Sequence, residues 1–233
     1  MSAMMQPDLR DQARAQPPAW AGETIQPWDE HRARAMAAFV TRDYWTDQGS
    51  INVFRVIGTE HVDYQGLSWL EFLERGKRMD QNLALHAANP GYYRETGRKV
   101  PGMYYRSLDG LSWYVGADGN HRTCLARFDF HGRGLTTLHG VTLSHTVADL
   151  ELFGLHERLR EVCLERRLGE RIEPHRELLR REDTAGWKLD HTLVSLQMSA
   201  PDGDTRLLDA QAARAQLRAL EAPARRRWWR IAG

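Results

Sequence analysis

The stretch Ser112-Trp113-Tyr114-Val115-Gly116-Ala117-Asp118-Gly119-Asn120-His121-Arg122-Thr123 decides how this chain reads. Aromatic and β-branched residues at its start favour an extended strand. Gly119 lets the backbone reverse without a Cβ clash. A short helix follows through Phe128, and His131-Gly132-Arg133-Gly134 ends it. The first amides of such a helix have no intrahelical acceptor and sit at its positive end, so the turn can accept a phosphate. Arg122 can add a bidentate grip, His121 a further donor and Thr123 a hydroxyl. The plainer alternative is a strand–turn–helix corner whose polar side chains only cap and solvate. On the residues alone the two readings are even.

Working outward, residues 101–117 read as a β-hairpin with strands Met103–Arg106 and Ser112–Val115 around Leu108-Asp109-Gly110. Residues 69–85 read as a helix. Ser68 and Glu71 have capping-box spacing, and Leu67 and Phe72 stand at the staple positions. Asn89-Pro90-Gly91 ends that segment. The run 51–57 (INVFRVI) predicts a strand, followed by a turn over Gly58–His61. Residues 135–145 read as another strand. Upstream, Asp29 begins a short helix over 29–40, and residues 1–28, rich in Gln, Ala and Pro, read as a mobile arm. Downstream, 149–182 read as helical and dense in Arg and Glu, with Pro174 starting a second helix. Residues 189–199 alternate as a strand, with Thr192, Val194, Leu196 and Met198 on one face. Asp209 caps a last helix to about Glu221.

The order Ile51–Ile57, Trp69–Leu85, Met103–Val115, Asp118–Arg122, Leu135–His145 resembles the ParB/sulfiredoxin-like superfamily. Its members place a D-G-x-H-R-type turn between a hairpin and a helix. The resemblance covers roughly residues 50–147. It implies an α/β (α+β) fold with a mixed sheet. The expected organisation is an arm over 1–28, a nucleotide-binding module over 29–147 and a helical, strand-containing extension over 148–233. It implies ATP or another nucleoside triphosphate at Gly119, Asn120, His121, Arg122 and Thr123. It also implies Mg²⁺ at Asp118, with Asp118, Glu60 and His121 as candidate catalytic groups. Sulfiredoxins carry a catalytic cysteine before the His-Arg pair, where this chain has Asn120, so sulfinic-acid reduction is disfavoured. Partition-type members add a helix-turn-helix that 149–182 does not supply. The branches that remain are the ATPase/nuclease proteins that inhibit fertility of conjugative plasmids and the small-molecule kinases. A non-catalytic inhibitor, switched by a nucleotide and binding a conjugation coupling protein, is a further reading.

Composition bounds these readings. The chain has 233 residues, with 32 Lys+Arg against 31 Asp+Glu, 42% hydrophobic and 27% charged. That suits a soluble globular protein and excludes a globally basic nucleic-acid wrapper. All but three of the basic residues are arginine. GC-rich codon usage explains that more simply than phosphate recognition does. The near-neutral total averages unlike regions. Residues 151–183 hold eight arginines and nine acids and neutralise themselves. From Arg214 to Arg230 six arginines face one acid, Glu221, beside Trp228 and Trp229. Arg225, Arg226, Arg227, Trp228, Trp229 and Arg230 are therefore candidate DNA contacts through phosphates and base stacking. A tail that merely docks its tryptophans is the equal alternative. Cys124 and Cys163 are too few for a disulfide scaffold or a four-thiolate zinc site, and Cys124 reads as a small buried side chain. None of the histidines has the spacing of a helical zinc motif. No apolar run is long enough to span a membrane, and Met1–Arg14 lacks the apolar core of a signal peptide, so a cytoplasmic location is expected.

Overall fold

The structure, a computed structural model, describes residues 8–222. They divide into two compact units. The first takes the chain up to Ala33, Arg42–Val147 and Arg180–His191, and the second takes Arg34–Thr41, Ala148–Leu179 and the chain from Thr192 onward. The expected border at 147 recurs, but the units interleave, with further crossings after Ala33, Thr41, Leu179 and His191. The cause is three strands of 13 or 14 residues that run on past the point where a unit ends.

The first unit opens with α1 (Leu9–Ala15), a 3₁₀ turn (Ala19–Gly22) and β1 (Gln26–Pro27). These residues are not an arm. Leu9, Ala13, Ala21 and Ile25 are buried in the core, and the Trp20 ring lies 4.7 Å from that of Phe128. Four inward residues scattered among Gln, Ala and Pro leave no periodic trace, because their partners lie far along the chain. The helix expected over 29–40 is α2 (Glu30–Met36) plus a 3₁₀ turn. Then β2 (Val40–Asn52) begins and runs into the stretch expected to open a strand at 51. The expected 51–57 strand is broken at Val53–Arg55, where the Asn52 side chain accepts the Phe54 N–H at 3.0 Å. Beyond that turn β3 (Val56–Thr59) resumes.

Ser68 and Glu71 form the expected capping box at the head of α3 (Trp69–Arg75). The single helix over 69–85 is instead two, α3 and α4 (Met79–Ala88), with Arg78 between them in the left-handed region at φ 65°. Gly76 is the C-cap where α3 ends, and its place needs glycine: a Cβ there would stand 2.6 Å from the Phe72 ring. A short α5 (Gly91–Arg94) precedes β4 (Tyr104–Ser107) and β5 (Trp113–Val115), the expected antiparallel hairpin. Ser107 Oγ accepts the Gly110 N–H at 2.8 Å, and Asp109 Oδ1 accepts that of Ser112 at 2.7 Å, which closes its turn.

Next come α6 (Asn120–Arg133), five residues longer than expected, and β6 (Thr137–Ala148). The sheet runs β1-β3-β5-β4-β6-β2 and on to β8 (Trp187–Ser199). The pairs β1–β3, β3–β5 and β4–β6 are parallel, while β4–β5 and β2–β8 are antiparallel, so the sheet is mixed and the class is α/β (α+β), as expected. Tyr105 stands opposite both Val115 and Leu143, and these three side chains join the core with Leu125, Phe128 and Phe130 of α6.

In the second unit α7 (Leu150–Glu165) is capped by Asp149, and α8 (Ala210–Glu221) by Asp209, as expected for the latter. Their inner faces close over Phe39, Ile172, Val194, Leu196, Met198 and Leu208 of β9 (Thr205–Leu208). The helix expected from Pro174 is instead β7 (Arg171–Thr184), a strand whose residues are mostly exposed. Its charges have no buried face to report, so they carry no period. Pro174 is tolerated because β7 is the last strand in the order and an edge can spare a donor.

Candidate functional site

The turn at the head of α6 is a glycine hinge. Gly119 has φ 117°, and a Cβ there would press on Met103 Cα at 3.3 Å. Asp118 Oδ1 accepts the Gly119 N–H at 2.7 Å. No side chain caps the helix, so the first amides of α6 depend on solvent or a ligand for partners. Gly119 therefore does what the spacing predicts.

The side chains expected to grip a phosphate are largely committed to building the turn. Asn120 is 9% exposed, and its Oδ1 accepts from Thr59 Oγ1 at 2.6 Å, which ties the helix to the end of β3. The buried Thr123 hydroxyl bonds Tyr105 Oη at 2.7 Å and donates to the Gly119 carbonyl at 2.8 Å. Arg122 reaches Asp118 at 2.6 Å, the Pro101 carbonyl at 2.7 Å and Tyr92 Oη at 3.0 Å. Burial disfavours the Arg122 charge, but Asp118 and Tyr92 outweigh that, and its pKa is raised overall. The His121 ring bonds the Lys77 carbonyl and packs on Phe72 and Tyr64. Burial lowers its pKa against that hydrogen bond, so the ring favours the neutral form.

The two candidate carboxylates are each paired with an arginine. Glu60 meets Arg106, whose guanidinium lies 4.4 Å from the Trp28 ring centre. The Glu60 N–H donates to the Val115 carbonyl at 2.9 Å, which places Glu60 beside the strand that leads into the turn. Asp118 faces Arg122 but keeps a side-chain exposure of 56%. Among the described residues no group of three or more His, Cys, Asp or Glu could hold a metal ion. Asp118 and Glu60 each carry a carboxylate, an oxygen donor of the type Mg²⁺ accepts. Cys124 is buried and its thiol pushed far up by desolvation, so it is inert, as expected. Asp129 lies buried within α6. Arg225, Arg226, Arg227, Trp228, Trp229 and Arg230 lie outside the described residues.

Sequence reasoning missed Tyr92, Pro101, Thr59 and Arg106, which hold the turn and its carboxylates. The only signal was local: Tyr92 and Tyr93 form an aromatic pair directly after the helix-ending Asn89-Pro90-Gly91. No family model, no curated protein and no solved structure matches this chain. Among the described residues no helix is long and apolar enough to cross a membrane.

Proposed function

We propose that the chain binds a nucleoside triphosphate at the head of α6 and acts as an ATPase and Mg²⁺-dependent DNA nuclease that limits conjugative transfer. The observation that carries this reading is the uncapped helix start behind a glycine held at φ 117°. Backbone N–H groups of Asn120, His121 and Arg122 would receive phosphate oxygens. Asn120, Thr123 and Arg122 act one step back, because their bonds to Thr59, Tyr105 and Asp118 hold those amides in place. Asp118 and Glu60 would hold Mg²⁺ together with the phosphates. The ion would supply charge neutralisation at the transferred group. Neutral His121 is suited to accept a proton from an attacking water. Residues 225–230 would contact DNA.

A second reading, a nucleotide-switched inhibitor that binds a coupling protein without turnover, draws support from the carboxylates. Asp118 and Glu60 must each leave an arginine before serving a metal. One set of measurements separates the two. Saturating ATP should raise the melting temperature, and Gly119→Ala should abolish the rise by straining the turn. DNA cleavage with Mg²⁺, lost in Asp118→Asn, supports the nuclease. ATP binding without cleavage or hydrolysis supports the switch. If no nucleotide shifts the melting temperature, both readings fall.

A further inference from the structure

A separate polar cavity of about 690 Å³ opens in the first unit, beside the far half of α6. Asp129 lines it, nine residues beyond Asn120 and so ~13 Å along the helix from the proposed phosphate site. Residues from α1, α4, α5 and α6 complete the wall, among them Leu9, Leu83, His86, Arg94 and Arg133.

Asp129 is 4% exposed. Its Oδ1 accepts from Arg133 Nε at 2.8 Å, whereas its Oδ2 is buried with no hydrogen-bond partner. His86 Nε2 is in the same condition. It stands 3.6 Å from Asp129 Oδ1, an ion-pair distance but too long for a hydrogen bond. Burial would raise the Asp129 pKa, yet His86 and Arg133 outweigh it and keep the carboxylate ionised. A buried carboxylate oxygen without a donor is costly, and the residue that carries it lines a space large enough to bring one.

The charges around the cavity are balanced: Asp8 and Asp129 face Arg94 and Arg133. A simple anion would meet Asp129, and a simple cation would meet two guanidinium groups. We propose that this cavity binds a free α-amino acid, its carboxylate between Arg94 and Arg133 and its ammonium donating to Asp129 Oδ2. His86 lines the same cavity, and Leu9 and Leu83 offer an apolar wall for the side chain.

The test uses the full chain. Thermal shift is read with each standard free L-amino acid and with inorganic phosphate. The best amino acid is then titrated by calorimetry beside its N-acetyl and carboxamide derivatives. One amino acid should raise the melting temperature, and each derivative should bind at least about tenfold more weakly. Arg94→Ala, a change at an exposed residue, should weaken binding by about tenfold and leave the unliganded melting temperature unchanged. Asp129→Asn should remove binding. If that variant does not fold, Arg94→Ala and the N-acetyl derivative still decide. The proposal is overturned if no amino acid shifts the melting temperature, if phosphate alone binds, or if binding survives both Arg94→Ala and N-acetylation. ATP binding at the Gly119 turn is read separately and is unaffected by either result.

Discussion

Arg127 is the largest fully buried side chain among the described residues, and burial there outweighs the favourable charge of Glu23. Its guanidinium lies between Trp20 and Trp69, 4.4 and 4.2 Å from the ring centres, and donates to the Val56 carbonyl. The rings and one carbonyl replace water, and burial lowers its pKa to about 10. The histidines make the testable point at this scale. Burial is the leading cause of lowered pKa values at His121, His145 and His156, against an ordinary value of 6.5. The unfolded chain then binds more protons in the window just below 6.5, so stability rises with pH there. Their contribution is fully present above that window and is lost as the pH falls through the lowered folded-state values. Urea midpoints measured from about pH 5 to pH 8 should drop on the acid side. His121→Gln should flatten part of that slope. A midpoint independent of pH would contradict the burial argument.

The α3–α4 junction shows how an element ends against its own propensity. The residues from Trp69 to Leu85 are good helix formers, yet Gly76 packs under Phe72 and Arg78 turns left-handed at φ 65°. A non-glycine residue in that region costs roughly 1 kcal/mol. Arg78→Gly should therefore raise stability by up to ~1 kcal/mol, less the entropy that glycine loses on folding. Urea unfolding of the variant reads this directly. A clear loss would mean that the Arg78 side chain contributes more than its backbone costs. The break matters for the site, since it brings the Lys77 carbonyl to His121.

At the scale of the whole molecule, the first described residues belong to the core of the first unit. Deleting residues 1–28 would strip out Leu9, Ala13, Trp20, Ala21 and Ile25 and remove β1 from the sheet. Leu9 and Ile25 alone are worth ~1.5–3 kcal/mol each when buried. The truncated chain should melt at least ~10 °C lower, or fail to fold. An unchanged melting temperature would mean that the segment is an arm after all. Calorimetric scans with and without residues 1–28 make the comparison.

Several features were legible in the sequence because their causes are local. The Ser68–Glu71 capping box, the Asp149 and Asp209 caps, the hairpin around Asp109 and the hinge at Gly119 each depend on residues a few positions apart. Local hydrogen bonds and glycine φ act before any tertiary contact forms, so spacing alone reveals them. What the Arg122 side chain does was not legible, since its partners Tyr92 and Pro101 lie 30 and 21 residues away. The same holds for β7, read as a helix because exposed charges carry no period, and for residues 8–28, whose inward side chains are too sparse to form one. The sequence by itself determined the local caps, the hairpin and the turn at the head of α6. Only the tertiary structure decided that this turn is held by side chains the motif does not contain, because long-range burial and pairing set which groups remain for a ligand.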